Sequence, residues 1–221
     1  MGTGFLHKSG KIITAHHVVD GCSDPILILA NGTQVVAKTI DSNADKDLAI
    51  INPSTPINAP TLPISTRSEF AIRTQVSTWG FPGGYFGTIP LLSIGYLSGV
   101  DAVRMPSGNI VRRTVVNAAF NGGNSGGPLL HIETGEIIGV VSSKLAPISD
   151  LTKQILQALE NQRSGFTYNA TKPDGSSVTF SEGQIVGMVL KELRNQVQLV
   201  IGMSVPAEDL RAYLSGQNLD P

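Results

Sequence analysis

The sequence predicts an all-β fold: two β units joined by a proline-rich connector, with a helical insertion near the end. Three observations carry this. Short β-rich runs recur along the first 145 residues, turn signals separate them, and the pattern breaks between 146 and 196 before a last strand. The first runs are GFL at 4–6, KIITA at 11–15, PILILA at 25–30, QVVAKTI at 34–40 and DLAII at 47–51. Ser9-Gly10 and Asn31-Gly32 punctuate them. Asn-Gly between two apolar runs is a strong hairpin signal, because a tight hairpin turn needs residues that tolerate positive φ.

The connector NPSTPINAPTLP at 52–63 carries Pro53, Pro56, Pro60 and Pro63. Proline cannot donate to a strand ladder, so this stretch links two units rather than pairing within one. Strand runs resume at TQVSTWG (74–80), GTIPLLSIGYLSGV (87–100), IVRRTVVNAA (110–119) and EIIGVVSS (136–143). Their spacing fits a sandwich or a pair of barrels. Beyond them, Leu151, Ile155, Ala158 and Leu159 fall at helical spacing, with Ser149 or Asp150 available as N-cap. Asp174-Gly175 predicts a hairpin. Ser181-Glu182-Gly183-Gln184 has the form of a capping box, leading into a helix with Ile185, Val189 and Leu193 on one face. VQLVIGMSV (197–205) reads as a strand again, and Pro206 opens a short C-terminal helix in which Leu210, Tyr213 and Leu214 share a face.

Composition narrows the function classes. At 221 residues the chain suits one large domain or two small ones, and 41% hydrophobic with 15% charged residues fits a folded protein. The net charge of −1 gives no general attraction to nucleic acid or to an anionic membrane, so neither is expected as a partner. Arg112-Arg113 is too short to make a basic patch. Cys22 is the single cysteine, which rules out an intrachain disulfide. No apolar run approaches the roughly 18 residues of a membrane span. MGTGFLHKSGKIITAHH lacks the apolar core of a signal peptide, so the chain as written is expected to be soluble and not exported. That makes it cytoplasmic by default, or periplasmic or secreted if a leader has been trimmed. A strand-like GTGFL almost at the first residue leads us to expect that an upstream segment is missing.

Chemistry is concentrated at AFNGGNSGGPLL, residues 119–130, where Gly122, Gly123, Gly126 and Gly127 surround Ser125. Glycine inside an element costs about 0.5–1 kcal/mol relative to alanine. Such a cluster therefore signals either a mobile loop or a backbone that approaches a ligand closely and aims its N–H groups at it. GNSGG also fits G-x-S-x-G, the nucleophile elbow, in which acid and histidine both follow the serine. Here only His131 follows, and no strand–helix alternation surrounds the site, so that reading fails. Upstream lie His16 and His17 in TAHHVV, directly after a strand, and Asp47 at the head of DLAII, with Asp45 two residues earlier. The order His17, Asp47, Ser125 uses intervals of 30 (47 − 17) and 78 (125 − 47) residues. Asp45 is expected to be a solvated loop carboxylate, and His7 and His131 ordinary surface or packing residues. No cofactor is implied. A metal site is not expected either, because adjacent His16 and His17 diverge and no further ligands cluster with them.

On these residues the sequence resembles the trypsin-like (chymotrypsin-fold) serine proteases, most of all the bacterial HtrA-like branch. GTGFL, ITAHHVV, DKDLAI, GFPGG, GNSGGPLL and IGMSVP stand in that family's order, and the resemblance covers 2–145 and 197–215. It implies two six-stranded-type antiparallel β-barrels, 1–72 and 73–145 with 197–221, with 146–196 inserted, all within a single peptidase domain. It also implies a serine endopeptidase: Ser125 as nucleophile, His17 as general base, and Asp47 holding the imidazole tautomer. His17 is preferred to His16 because the family's histidine immediately precedes Val18-Val19. The Gly123 and Ser125 backbone N–H groups would form the oxyanion hole.

By family position, Ala119 lies at the base of the pocket for the residue before the scissile bond. An apolar base disfavours Lys or Arg there and suggests small or medium aliphatic residues. Ser142, Ser143 and Lys144 would form one wall and pair with substrate backbone, while Gly202 and Ser204 line the other. Ser142 is also expected to hydrogen-bond Asp47. Asn124 stands where digestive trypsins carry an aspartate that pairs with a newly cut N-terminus. That switch is therefore expected to be absent, with control left to loop ordering or a partner.

HtrA-like proteins continue into PDZ domains; with the chain ending at Pro221, none is expected here. The insertion reads either as a decoration on the barrel or as a lid or docking site for a regulatory partner. A polypeptide substrate is the expected partner. A catalytically silent peptide-binding relative or scaffold, and an esterase using the same site, are the competing readings.

Overall fold

The computed structural model describes residues 1–82, 87, 89–144, 150–163, 165–172, 174–196 and 201–221. Chain contacts divide it into two units, Met1–Leu145 with Leu199–Pro221, and Ala146–Gln198.

In the first unit, β1 (Phe5–Leu6), β2 (Ile12–Thr14), β3 (Ile26–Ile28), β4 (Gln34–Asn43) and β5 (Leu48–Pro53) pair in the order β1-β2-β5-β4-β3. A single helical turn, α1 (His16–Val19), follows β2 directly. The Asn31-Gly32 hairpin forms as its sequence predicts, with Gly32 at φ 81° and its N–H donated to Leu29 O at 2.8 Å. In β4 buried and outward residues alternate at its start, and in β5 Leu48 to Ile51 are all buried, so β5 is the sheet's central strand. The proline-rich connector is tied down at its end. Ser65 donates its N–H to Ile137 O (2.9 Å) and Ile137 donates to Pro63 O (2.8 Å).

Next come β6 (Gln75–Gly80), β7 (Leu91–Arg104), β8 (Ile110–Asn117), β9 (Pro128–His131) and β10 (Ile137–Lys144). The second unit then contributes α2 (Asp150–Asn161), the hairpin β11 (Thr167–Thr171) and β12 (Ser177–Ser181), and α3 (Glu182–Gln196). The chain returns as β13 (Gly202–Pro206) and α4 (Ala207–Gly216). Strands β10-β13-β8-β7-β6-β9 close a six-stranded barrel. The all-β two-barrel fold is therefore what the chain adopts. The six-strand count holds for the C-terminal barrel, whereas the N-terminal sheet has five strands among the described residues. Its outer members, β1 and β3, are two and three residues long and do not pair with each other. The run expected from residue 87 starts at Leu91, after Pro90, and extends to Arg104 in a long hairpin with β8.

Three apolar clusters explain the assembly. Ile12, Val19, Ala37, Ala49 and Ile51 fill the first sheet, while Val76, Leu97, Val116, Phe120, Leu129 and Val141 fill the second barrel. The third joins them: Ile13, Leu48 and Ile50 from one side, Leu130, Ile137 and Val140 from the other, and Leu210, Tyr213 and Leu214 of α4. The face predicted for the C-terminal helix is thus the wedge between the barrels. Tyr213 adds a hydrogen bond from its hydroxyl to Asp41 Oδ2 (2.5 Å).

Within the second unit the capping box is reciprocal. Gln184 donates its N–H to Ser181 Oγ (3.3 Å), and Ser181 donates its N–H to Gln184 Oε1 (3.0 Å). Val189 and Leu193, on one face of α3, are exposed. The helices meet through Gly183 and Gly187, one turn apart; a Cβ on Gly187 would lie 3.3 Å from Leu159 Cβ. Ser149 and residues 197–200 lie outside the described residues.

Leu214→Ala should lower unfolding free energy by about 2–5 kcal/mol, because it opens a cavity between the barrels. Lys8→Ala, which breaks an exposed ion pair with Asp220, should change it by less than about 1 kcal/mol. Urea denaturation of both variants measures the contrast.

Candidate active site

Four segments of the first unit build the candidate site. The first is the loop 121–127 between β8 and β9. Asn124 N–H donates to Asn121 O (3.1 Å), Gly127 N–H to Asn124 O (3.0 Å) and Gly126 N–H to Val141 O (2.7 Å). Among the described residues, the N–H groups of Gly123 and Ser125 donate to no protein acceptor. The loop amides at 124, 126 and 127 are thus paired, while those of Gly123 and Ser125, on either side of Asn124, are left free.

Residues 2–3 and 14–15 form the second and third segments. Thr3 donates its N–H to Ser125 O (2.8 Å) and its hydroxyl to Gly123 O (2.6 Å), and Thr14 Oγ1 donates to Thr3 O (2.7 Å). Gly126, at φ 85°, permits this approach: a Cβ there would sit 2.1 Å from Thr14 Oγ1 and 2.8 Å from Ala15 N. The serine loop therefore abuts the residue that leads into α1, which carries His17.

The fourth segment is the turn before β5. Asp47 adopts φ 55°, a left-handed conformation that Asp tolerates better than most residues, and its carboxylate is turned inward. Asp47 Oδ1 accepts the His17 backbone N–H at 3.1 Å and Nδ1–H at 2.9 Å; Oδ2 accepts the Ser142 hydroxyl at 2.5 Å. With Nδ1 donating, the lone pair is on Nε2, the nitrogen able to accept a proton. His16 points elsewhere, pairing Nδ1 with Ser42 Oγ. Of the two histidines the structure brings His17, not His16, to Asp47.

The hydrogen bond to Asp47 holds the His17 imidazole above its ordinary value, outweighing the burial that lowers it. Burial pushes the Asp47 carboxyl up, but the hydrogen bonds from His17 and Ser142 outweigh that and hold it below the ordinary carboxylate range.

Several contributors were not legible in the sequence. Asp45, a solvated loop carboxylate, also accepts from the turn between β7 and β8: Ser107 Oγ and Asn109 Nδ2 each donate to it at 2.7 Å. Arg113, 4% exposed, donates to Asp45 O at 2.9 Å. The C-terminal barrel thus grips the turn that presents Asp47. Thr3 acts across 120 residues of sequence, a pairing that no local pattern reveals.

Asn124 is buried beside Gly80, its amide nitrogen 3.4 Å from Ala119 O. A neutral amide needs no counter-charge there, whereas an aspartate would.

The expected pocket residues fall on three strands or loops. Ala119 is partly exposed just before the serine loop. Ser142, Ser143 and Lys144 end β10, with Ser143 opposite Met203 and Lys144 opposite Gly202 of β13. The side chains of Ser143 and Lys144 lie outside the described residues. Ser204, expected on the wall beside Gly202, is fully buried with its hydroxyl unpartnered. The strand's alternation turns it into the barrel. His7 and His131 behave as packing residues, His7 against Ser9 and His131 beside Phe70.

The two shifts set a pH window. The raised His17 value stabilises the fold below the ordinary imidazole value and is lost as pH rises through the raised one. The lowered Asp47 value stabilises it above the ordinary carboxylate value and is lost as pH falls through the lowered one. The pair contributes fully between about pH 3.8 and 6.5. Asp47→Asn should flatten this plateau in urea midpoints measured across pH and lower the His17 midpoint in an NMR titration. An unmoved midpoint contradicts the assignment.

A family model described as a trypsin-like peptidase domain matches residues 2–140. The chain is 32% identical over 151 residues to Protease Do-like 1, chloroplastic, of Arabidopsis thaliana, covering 66% of this chain and 34% of that protein. It is 33% identical over 151 residues to the Serine protease Do-like HtrA of Bacillus subtilis, covering 66% and 33%. It thus spans about a third of the length of the curated relatives it matches. Among solved structures, the HtrA-type protease AlgW with decapeptide shares the fold at TM-score 0.60 and 21% identity, over 97% of this chain and 51% of that one. Motif order, barrel topology and the matched family model agree: the chain belongs to the trypsin-like peptidase family, on its HtrA-like branch.

Proposed function

We propose that the chain is a serine endopeptidase that hydrolyses peptide bonds through an acyl-enzyme on Ser125. The observation that carries this is the Asp47 carboxylate, which accepts the His17 Nδ1–H and the Ser142 hydroxyl in the same unit as a serine loop whose Gly123 and Ser125 amides are unused.

In this reading His17 Nε2 takes the Ser125 hydroxyl proton as Oγ attacks the substrate carbonyl carbon. The new oxyanion is received by the N–H groups of Gly123 and Ser125. His17 then delivers its proton to the amine leaving group as the C–N bond breaks, and Asp47 stabilises the imidazolium in between. Water, deprotonated by His17, hydrolyses the ester and returns Ser125 to its free form.

A polypeptide substrate is supported by the peptide bound to the similarly folded AlgW. It would lie along Ser142, Ser143 and Lys144 as an added strand. Ala119, which carries no charge, supports a preference for small or medium aliphatic residues before the scissile bond. The two barrels and the 146–196 insertion would act as one peptidase domain.

A fluorophosphonate probe should label the purified protein, and Ser125→Ala and His17→Ala should abolish labelling. Both variants should lose about 10⁴-fold or more in peptide hydrolysis. Because His17 must be neutral to accept a proton and its value is raised, kcat/KM should climb with pH through a midpoint above the ordinary imidazole value. A folded wild type that takes no label, or labelling that survives in Ser125→Ala, overturns the reading.

A further inference from the structure

Just before the serine loop stands a core residue that the proposed chemistry has not used. Phe120 lies between Ala119 and the glycines and is 3% exposed, packed among Val76, Leu97, Val116, Leu129 and Val141 of the second barrel. Its ring lies on Gly202. A Cβ added to Gly202 would fall 2.0 Å from Phe120 Cδ2, 2.5 Å from Cγ and 2.6 Å from Cε2. No side chain fits between them, so ring and glycine form one closed contact.

That contact is located by its neighbours. Gly202 pairs with Lys144 at the end of β10, two residues beyond the Ser142 that holds Asp47. Val141, one residue earlier, exchanges hydrogen bonds with Gly126 and Gly127 of the serine loop. The space beside Ser125 is therefore bounded by 119–124, by the end of β10 and by Gly202, and Phe120 sits where these three meet. Two residues along the same face of β13, Ser204 is 0% exposed and its hydroxyl has no partner. A recess reaching past Gly202 would leave that hydroxyl accessible, and it is not exposed.

We infer that Phe120 is a specificity-determining residue: its ring closes the recess at the level of Gly202, so the site takes only glycine or alanine before the scissile bond. This rests on the peptidase reading above and narrows it from aliphatic residues in general to the smallest. The physical basis is the close packing of the contact. Each methylene beyond alanine must displace an aromatic ring anchored in the barrel core, which costs overpacking rather than gaining burial.

The test uses the full chain and fluorogenic peptides identical except for Gly, Ala, Val, Leu or Phe before the cleaved bond. Competent sites are counted with a small fluorophosphonate that carries no side chain to fit the recess. Wild type should cleave after alanine with kcat/KM at least about tenfold above valine or leucine, within the usual range for one or two misfitted methylenes. Phe120→Val should raise cleavage after valine and leucine about tenfold or more per labelled site. Phe120→Leu, which keeps most of the core volume, should shift in the same direction by less and provides a variant that folds if the smaller one does not. A wild type that accepts leucine as well as alanine overturns the inference, as do labelled Phe120 variants with an unchanged profile. Absence of labelling in folded wild type overturns the peptidase reading itself, which distinguishes the two failures.

Discussion

The Asp47 carboxylate is the interaction on which the site's geometry depends. It starts the central strand of the N-terminal sheet, yet one oxygen accepts from Ser142 of the C-terminal barrel and the other from the backbone and ring of His17. One buried anion therefore fixes the orientation of an imidazole and the relation of two barrels. Burying it is unfavourable unless its lone pairs are filled, and three donors fill them. The left-handed backbone at Asp47 is held by contacts from outside its own sheet: Arg113 on the Asp45 carbonyl, and Ser107 and Asn109 on the Asp45 side chain. The serine loop is held in the same way, by Thr3 and Thr14 from the N-terminal sheet. Each barrel thus shapes the loop of the other. The mixed cluster of Ile13, Leu48, Leu130, Val140 and the C-terminal helix keeps them in register.

What was legible in the sequence is what repeats locally. Alternation and Asn-Gly located β4 and its hairpin, the proline run located the connector, and Ser181 with Gln184 located the start of α3. The contact of His17 with Asp47 was legible because residue type and motif order constrain the two together. Thr3, Arg113 and Phe120 were not, since their roles are set by partners 68 to 120 residues away or by a contact with a distant glycine.

The match covers only about a third of the length of the HtrA-like relatives, so what they do as whole proteins is not carried over with the fold. The bond-breaking steps proposed here use residues within 3–142, and the substrate contacts proposed with them reach Lys144 and Gly202. All of them belong to the unit formed by the two barrels, and none lies in Ala146–Gln198. The account thus makes the barrels sufficient for bond cleavage.

The most direct test of the central claim is a crystal structure of the protein phosphonylated by a fluorophosphonate, whose tetrahedral phosphorus carries an oxygen where the oxyanion would form. The account predicts phosphorus bonded to Ser125 Oγ and a phosphonyl oxygen within hydrogen-bonding distance of both the Gly123 and Ser125 N–H groups. His17 Nε2 should face Oγ, with Nδ1 still on Asp47. An adduct whose oxygen points away from those amides, or a loop with the Gly123 N–H turned inward to a protein carbonyl, would contradict it.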